Sequence, residues 1–435
     1  MLKKLKRAAL GAKVPHEKTT ADQATVRMPL PSKIVLPMQQ HIGAACTPVV
    51  KKGDTVQVGS LVGQAEGAVS APIYSGVSGT VSGVERYTLM NGTRVPAVVI
   101  IPDGQQTQVE FTAPVVQSRE DFIQAVRNSG LVGLGGAGFP TAAKLESAKN
   151  VNTLLVNAAE CEPYLTSDTR EILEHGDTIC AGIQAVMKHM GISRCIIGVE
   201  DNKPACIQVL KQLATRCSNT SVKVLPSRYP QGAEKILVES LTGLEVPQGG
   251  LPADVGVVVM NVTTISVLGG YLQTGKPLMT KRVTVAGDLV QKPQNVEVIV
   301  GTPAIEVLQF CGLDTQQPVA KLLSGGPMMG VAMASLEAPV IKQTNGLLAL
   351  SEKAANKPDM GPCIRCGRCI EACPMGLTPV SIAGAFNSKN TQLLKELRVD
   401  LCMVCGSCSY VCPAKRPVTQ VMSLAKQFAQ KEGQH

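Results

Sequence analysis

The rhythm of apolar positions changes several times along the chain. From 34 to 101 they come in short runs broken by Gly, Pro and Asp, with Asn91-Gly92 placed as a hairpin turn, which predicts β structure. From 118 the pattern alternates between helical spacing and short apolar runs. Helices are expected at 119–128, 169–190, 204–216 and 232–241, and strands at 153–157, 194–199, 221–225 and 256–261. Strands separated by helices of this length imply a parallel α/β sheet, whose ligands sit at the carboxyl ends of the strands. A smaller β-rich stretch covers 277–330, with strands at 282–286 and 296–300 and a short helix at 304–310, and reads as a β-grasp-like module. A connecting segment then leads into a dense cysteine cluster, and a polar helix closes the chain.

Two segments, Val49-Val50-Lys51-Lys52-Gly53-Asp54-Thr55-Val56 and residues 70–81, resemble the two halves of a lipoyl- or biotinyl-type barrel-sandwich domain. The hairpin between them, Gln64-Ala65-Glu66-Gly67-Ala68-Val69, has no Lys to acylate. It is expected to be a structural relative and not a swinging arm.

Composition narrows the function classes. Of 435 residues, 44% are hydrophobic and 17% charged, an ordinary globular balance with room for several cores. Aromatics are only 3% with no Trp, and the basic residues are dispersed, so stacking on single strands and nucleic-acid binding generally are not expected. Net charge is +9, and the first 18 residues hold six Lys or Arg against one Glu. That terminus reads either as a solvated, poorly ordered tail or as an attachment to an anionic membrane face or acidic partner. Its apolar part is short and closed by Lys13, so no export signal is expected. Apolar runs such as 255–260 fall far below the roughly 18–20 residues of a bilayer span, which predicts a soluble or peripheral protein.

The 15 Cys are lopsided: seven lie between Cys46 and Cys311 and eight between Cys363 and Cys412. That is not a secreted disulfide framework; it reads as reduced cytoplasmic thiols plus a metal module. Cys46, Cys180, Cys195, Cys206, Cys217 and Cys311 are expected as core residues. Two runs share one spacing, Cys363-x-x-Cys366-x-x-Cys369-x-x-x-Cys373-Pro374 and Cys402-x-x-Cys405-x-x-Cys408-x-x-x-Cys412-Pro413. Three thiolates so spaced wrap one cubane, and the fourth ligates the other cluster in two-cluster ferredoxins. Cluster I therefore takes Cys363, Cys366, Cys369 and Cys412, and cluster II takes Cys402, Cys405, Cys408 and Cys373. Structural zinc also accepts four thiolates, but the doubled run with both prolines favours two 4Fe-4S clusters. Arg365 and Arg368 either offset cluster charge or are simply solvated.

Residues 130–141 contain a formal GxGxxG at Gly133, Gly135 and Gly138. A helical segment precedes it where a dinucleotide fold would have a strand. It is either a phosphate cradle followed by a helix carrying Lys144, or a tight loop between helices. Asn157-Ala158-Ala159-Glu160-Cys161-Glu162-Pro163 follows directly on the first expected sheet strand. Its carboxylates offer acceptors for ribityl or ribose hydroxyls. A reactive Cys161 is disfavoured, since no His in the loop serves it as a base.

These residues carry a resemblance. The glycine-rich and acidic loops resemble those of the NADH-oxidising flavoprotein subunit of respiratory complex I. Gln40-His41-Ile42-Gly43, Glu200-Asp201-Asn202-Lys203-Pro204, Tyr229-Pro230-Gln231-Gly232-Ala233-Glu234-Lys235, Ser324-Gly325-Gly326-Pro327-Met328-Met329-Gly330 and the two-cluster module extend it. Together they make the chain similar, over nearly its whole length, to the RnfC family of Rnf ion-translocating ferredoxin:NAD oxidoreductases. The resemblance implies FMN, NAD(H) as substrate and two 4Fe-4S clusters. Gly133, Gly135, Gly136 and Lys144, with Gly138 in the same loop, would hold the FMN phosphate. Asn157, Glu160 and Glu162 would face ribityl, flavin and nicotinamide, the two acids being the expected catalytic pair. Tyr229, Gly232 and Glu234 would line the nucleotide side, and Asn261 with Thr263 or Thr264 would complete the flavin pocket. The complex I loops have Arg, Asp and Glu where this chain has Leu134, Ala159 and Ala233.

The expected fold is multidomain α/β plus β: a basic N-terminal segment (1–30), a barrel-sandwich domain (31–112), an FMN/NADH-binding α/β domain (113–275), a β-grasp module (276–335) and a two-cluster ferredoxin-like domain (355–425). The expected role is peripheral, on the cytoplasmic face of the cell membrane. There the chain would pass electrons between NAD(H) and a ferredoxin-like subunit, ferredoxin being reached indirectly, while integral membrane subunits move the ion. The alternatives are a cobalamin reductase of similar architecture or a ferredoxin-like carrier without nucleotide binding.

Overall fold

Alternating short strands at the start of the chain close into two small antiparallel sheets. The computed structural model, which describes residues 10–136, 138–355 and 359–431, orders them Ile34–Pro37, Arg94–Pro102, Gly79–Thr88, Thr55–Val56 and Thr47–Pro48, Leu61–Gln64, Ile73–Tyr74. Ile34, Leu36, Val62, Ile73, Val98 and Ile100 fill the space between. The expected Asn91-Gly92 turn joins the two longest strands, with Gly92 at φ +83° donating to the Leu89 carbonyl.

The α/β region is a four-stranded sheet, all parallel, in the order Thr220–Leu225, Arg194–Glu200, Thr153–Ala158, Val257–Asn261. Helix Arg119–Asn128 starts at a capping box between Ser118 and Asp121. The single helix expected at 169–190 is two, Ser167–Glu174 and Gly176–Met190, broken at His175. Helix Val262–Thr274 carries no sequence signal of period because it is buried nearly all round. It lies against Gly176–Met190 through Gly269 and Gly182, where a Cβ would collide with the Thr178 and Ile265 carbonyls. Cys180 and Cys217, expected as separate reduced core thiols, are instead brought together across this helical layer as a disulfide, Cα–Cα 6.2 Å.

The small β module is a six-stranded sheet in the order Val26–Arg27, Gln294–Ile299, Thr280–Ala286, Gly346–Leu350, Lys321–Ser324, Val331–Ala332. It reaches beyond the 276–335 window at both ends. Gly346–Leu350, fully buried and apolar, lies inside the sheet where a connecting segment was expected. The N-terminal segment also departs from expectation as far as it is described. Ala12 exchanges both backbone hydrogen bonds with Tyr229, and Thr25 bonds Glu174, so residues 12–27 are strapped to the body. Lys3, Lys4, Lys6 and Arg7 lie outside the described residues.

Each cysteine run closes on a one-turn helix, Arg368–Glu371 or Ser407–Tyr410, entered through a left-handed glycine, Gly367 or Gly406. Arg365 and Val404 occupy equivalent places and share positive φ, so the repeat visible in the sequence is a repeat of backbone shape. Pro379–Asn387, Thr391–Glu396 and Val418–Lys431 pack around the second run. Among the described residues no helix is long and apolar enough to cross a membrane.

The barrel sandwich, α/β layer and β module meet at Lys342, whose buried Nζ donates to the Pro72 carbonyl at 2.6 Å and the Gly130 carbonyl at 2.7 Å. Burial depresses its titration from 10.5 to about 7. Between those values the unfolded chain binds a proton that the folded chain lacks, so stability rises with pH across that window. Thermal melts should show the midpoint climbing from about pH 7 to pH 10 in wild type and climbing less steeply in Lys342→Met, where buried Lys281 and Lys18 still contribute. Identical pH profiles would contradict the assignment.

Candidate functional site

Strand Thr153–Ala158 ends in the acidic loop, as the topology of a parallel sheet demands. Asn157 Nδ2 donates to the Gly232 carbonyl at 2.8 Å, and its Oδ1 accepts from Ala159 N–H at 3.2 Å, tying the loop to the segment after Tyr229. Glu160 sits at φ +49°. Its carboxylate accepts from Asp168 N–H at 2.7 Å and the Thr169 hydroxyl at 2.6 Å, satisfying free amides at the start of helix Ser167–Glu174. The Glu162 carboxylate accepts from Met328 N–H at 3.1 Å and Met329 N–H at 2.7 Å, pinning the loop at 324–330 across the opening. Burial raises the titration of both acids; Lys18 opposes it at Glu160, and the two Met amides oppose it at Glu162.

Lys18, a residue no motif singles out, holds this loop. Its Nζ donates to the carbonyls of Glu160 at 2.9 Å, Glu162 at 2.7 Å and also Leu165. Burial lowers its titration, with Glu160 acting in the opposite direction. The thiol of Cys161 is pushed up to about 12, by burial first and then by Glu200, so it stays protonated at neutral pH.

The glycine-rich loop is closed at its neck by Gly133 N–H on the Phe139 carbonyl, 2.8 Å, and Leu134 N–H is held by Thr264 Oγ1 at 3.0 Å. A Cβ on Gly135 would collide with Asn261, and one on Gly138 with Gln343, whereas Gly136 faces open space. Asn261 Nδ2 and Thr263 Oγ1 converge on Asp168, at 2.7 and 2.6 Å, making Asp168 a hub that sequence reading passed over. Lys144 is turned to Glu234 Oε1 at 2.6 Å and the Val259 carbonyl at 3.0 Å.

These parts surround a cavity of about 910 Å³, at the roomy end of the range for small-molecule sites. Of the expected residues, Gly135, Gly136, Asn157, Glu160, Glu162, Tyr229, Gly232, Glu234 and Asn261 line it. Gly133 and Gly138 shape the loop behind it, Thr263 and Thr264 brace Asp168 and Leu134, and Lys144 neutralises Glu234; none of these five lies on its wall. The Tyr229 hydroxyl, buried on this wall, has the Glu162 carboxylate as its polar neighbour but makes no hydrogen bond of good geometry. An open glycine backbone, a buried hydroxyl and carboxylates fit a polar nucleotide cofactor such as FMN.

The same cavity is also lined by Asp400, Leu401, Cys402 and Met403. Cys402 is shared with a second, small cavity that Cys373, Cys405 and Cys408 also line, together with Met375, Leu377 and Met422. Burial raises Cys408 to about 11, and Cys405, Cys402 and Cys373 add to it; Cys369 is raised by burial, with Cys363, Cys366 and Cys412 adding. The thiols thus gather as two interleaved sets, each borrowing its fourth member from the other run. Among the described residues no group of three His, Cys, Asp or Glu side chains is drawn to the spacing of a single-ion site. Arg365 and Arg368 are exposed, the solvated alternative, while Lys426 donates to the Cys402 carbonyl at 2.8 Å and brings positive charge to the inner set.

Comparison with known proteins agrees module by module. Residues 6–105 match the RnfC barrel sandwich hybrid domain, 126–269 the Nuo51 FMN-binding domain, 282–332 the SLBB domain and 362–416 the 4Fe-4S dicluster domain. The chain is 42% identical over 376 residues to the C component of the proton-translocating ferredoxin:NAD(+) oxidoreductase complex of Clostridium ljungdahlii, covering 85% of this chain and 82% of that protein. It is 42% identical over 372 residues to the Na(+)-translocating counterpart of Acetobacterium woodii, covering 83% and 84%. It is 39% identical over 375 residues to the C component of an ion-translocating oxidoreductase complex of Rhodobacter capsulatus, covering 84% and 72%. Among solved structures, a chain of an NAD+-reducing [NiFe]-hydrogenase in the H2-reduced state shares the fold at TM-score 0.50 and 19% identity, over 74% of this chain and 64% of that one.

If Lys18 is what holds the acidic loop, Lys18→Met strips three buried carbonyls of their donor. Hydrogen exchange at 160–165 should quicken by about tenfold or more, with the distant barrel-sandwich amides unchanged. Unaltered exchange at 160–165 would refute the role.

Proposed function

The chain belongs to the RnfC family of ion-translocating ferredoxin:NAD(+) oxidoreductase complexes, and we propose that it is the NAD(H)-facing electron-transfer subunit of such a complex. It is a redox subunit with an FMN-binding domain and a 4Fe-4S dicluster domain. The observation that carries the reading is Cys402, which walls both the nucleotide-sized cavity and the cavity of four thiols.

Bound FMN supplies the conversion between hydride transfer and single-electron transfer that NADH oxidation by iron-sulfur carriers requires. The chain's own residues do the rest. Gly136 leaves backbone bare for close approach, Gly135 admits Asn261 against the loop, and Asn157 and Tyr229 border the wall. Glu160, fixed on the helix start, and Glu162, fixed on the Met328 and Met329 amides, shape the cavity and hold the 324–330 loop against it. Their role is to position and to keep water out. Cys373, Cys402, Cys405 and Cys408 form the inner ligand set. Cys363, Cys366, Cys369 and Cys412 form the outer one, with Cys363 and Cys366 exposed.

The outer set, flanked by exposed Arg365 and Arg368 and exposed Ile364, is the point of electron exchange with a partner protein. That partner is the ferredoxin-like subunit, with integral membrane subunits moving the ion and this chain peripheral on the cytoplasmic face. The relatives' names favour this reading over corrinoid reduction, and the lined cavity favours it over a bare carrier.

Anaerobic preparations of Cys402→Ala and Cys363→Ala separate the two sets. Each should lose about half of the iron, since each set serves one cubane. NADH should bleach the flavin in both, yet reduce the remaining cluster only in Cys363→Ala. The reverse pattern would contradict the inner and outer assignment, and wild type without flavin or iron would overturn the reading.

A further inference from the structure

Buried polar atoms left without a partner are few in native folds and tend to have a reason. Among the described residues five side-chain nitrogen or oxygen atoms are in this state, and three of them, on Tyr229, Gln343 and Asn345, belong to residues that line the large cavity. Tyr229 was expected there. Gln343 and Asn345 come from the small β module and were not.

The backbone that presents them is held at several points. Thr344 N–H donates to the Ile341 carbonyl at 2.9 Å, and Thr344 Oγ1 accepts from Ile341 N–H at 3.1 Å, closing a turn. Lys342, within that turn, is locked into the module junction through Pro72, Gly130 and Gln40. The Asn345 carbonyl accepts from Thr284 N–H at 3.0 Å. The side-chain amide oxygens, Gln343 Oε1 and Asn345 Oδ1, are buried without a partner. Gln343 also lies so close to Gly138 that a Cβ there would overlap its Oε1, so the glycine-rich loop is cut to admit this amide. A primary amide offers an acceptor beside a donor, and its complement is another amide-like edge carrying N–H beside C=O.

We propose that Gln343 and Asn345 are ligand contacts, binding through their side-chain amides a ring ligand whose edge carries N–H beside C=O. Within the nucleotide reading above, on which this rests, two sources have that chemistry: the imide of the flavin and the carboxamide of nicotinamide. The small β module thereby supplies part of the binding wall and is more than a spacer.

The test uses the full chain with Gln343→Leu and Asn345→Leu, each close in size but without polar atoms. FMN is titrated into flavin-depleted protein by fluorescence, and NADH into the FMN-loaded protein. At least one variant should lose about tenfold or more in one arm. Loss in the FMN arm assigns the flavin imide, and loss in the NADH arm assigns the carboxamide. The ligand-free melting midpoint should hold or rise, because a buried acceptor without a partner has been removed. Should either Leu variant fail to fold, Gln343→Glu and Asn345→Asp, which keep size but lose the donor, go through the same two arms. Both ligands binding all variants as tightly as wild type overturns this proposal alone. Wild type that takes up no FMN overturns the nucleotide reading and this with it.

Discussion

One ammonium group sets the terms for the site. Lys18 lies buried beneath the loop that leaves strand Thr153–Ala158 and gathers the carbonyls of Glu160, Glu162 and Leu165. Without it, a loop that bends through positive φ at Glu160 and Tyr164 would hold part-buried carboxylates with only Lys203 to compensate Glu160, and its carbonyls would lose their donor. With it, Glu160 can face the start of helix Ser167–Glu174, and Glu162 can reach across to the 324–330 loop. The cavity exists because these two acids are held apart and held still. The N-terminal segment is therefore a strap on the site. The exchange of hydrogen bonds between Ala12 and Tyr229 and the bond from Tyr164 N–H to the His16 carbonyl draw it across the same face.

The modules contribute according to what each can do cheaply. A parallel sheet opens its strand ends to a ligand, so Asn157 and Asn261 come from adjacent strands. The β module lends a loop pinned by Glu162 and a turn pinned by Lys342. The thiol sets occupy a compact helical unit whose backbone shape is repeated at Gly367 and Gly406. Among the described residues Tyr229 is the one aromatic that borders the large cavity, so a ring bound there is held chiefly by backbone and hydrogen bonds. The low aromatic content thus bears on the site as well as on the exclusion of nucleic acid.

Much of this is legible in the sequence where the chemistry is local. The repeated Cys-x-x-Cys-x-x-Cys-x-x-x-Cys-Pro spacing is that of two-cluster ferredoxins, in which the fourth thiol of each run serves the other cluster, so interleaved sets are expected from it. Ser118 before Asp121, Asn91-Gly92 and Pro204 at a helix start each act over a few residues. What escapes is non-local. Lys18 reads as one more charge in a basic terminus until the fold buries it against Glu160, 142 residues away. Asp168 reads as a helix-start acid until Asn261 and Thr263 arrive from another strand and helix. Lys144 follows a phosphate-loop pattern and yet meets Glu234, 90 residues on. Helix Val262–Thr274 shows no period because it is buried on most sides, and strand Gly346–Leu350 looks like a linker because nothing beside it in sequence pairs with it.

The central claim is that one cavity, lined by both Gly136 and Cys402, brings the nucleotide cofactor next to the inner thiol set. It is tested most directly by determining the structure of the anaerobically purified chain with FMN bound. The account predicts flavin density inside that cavity, against Gly135 and Gly136, with a cubane on Cys373, Cys402, Cys405 and Cys408 in the small cavity that shares Cys402 with it. Flavin density elsewhere on the chain, or a cubane ligated by cysteines of one run alone, would contradict it.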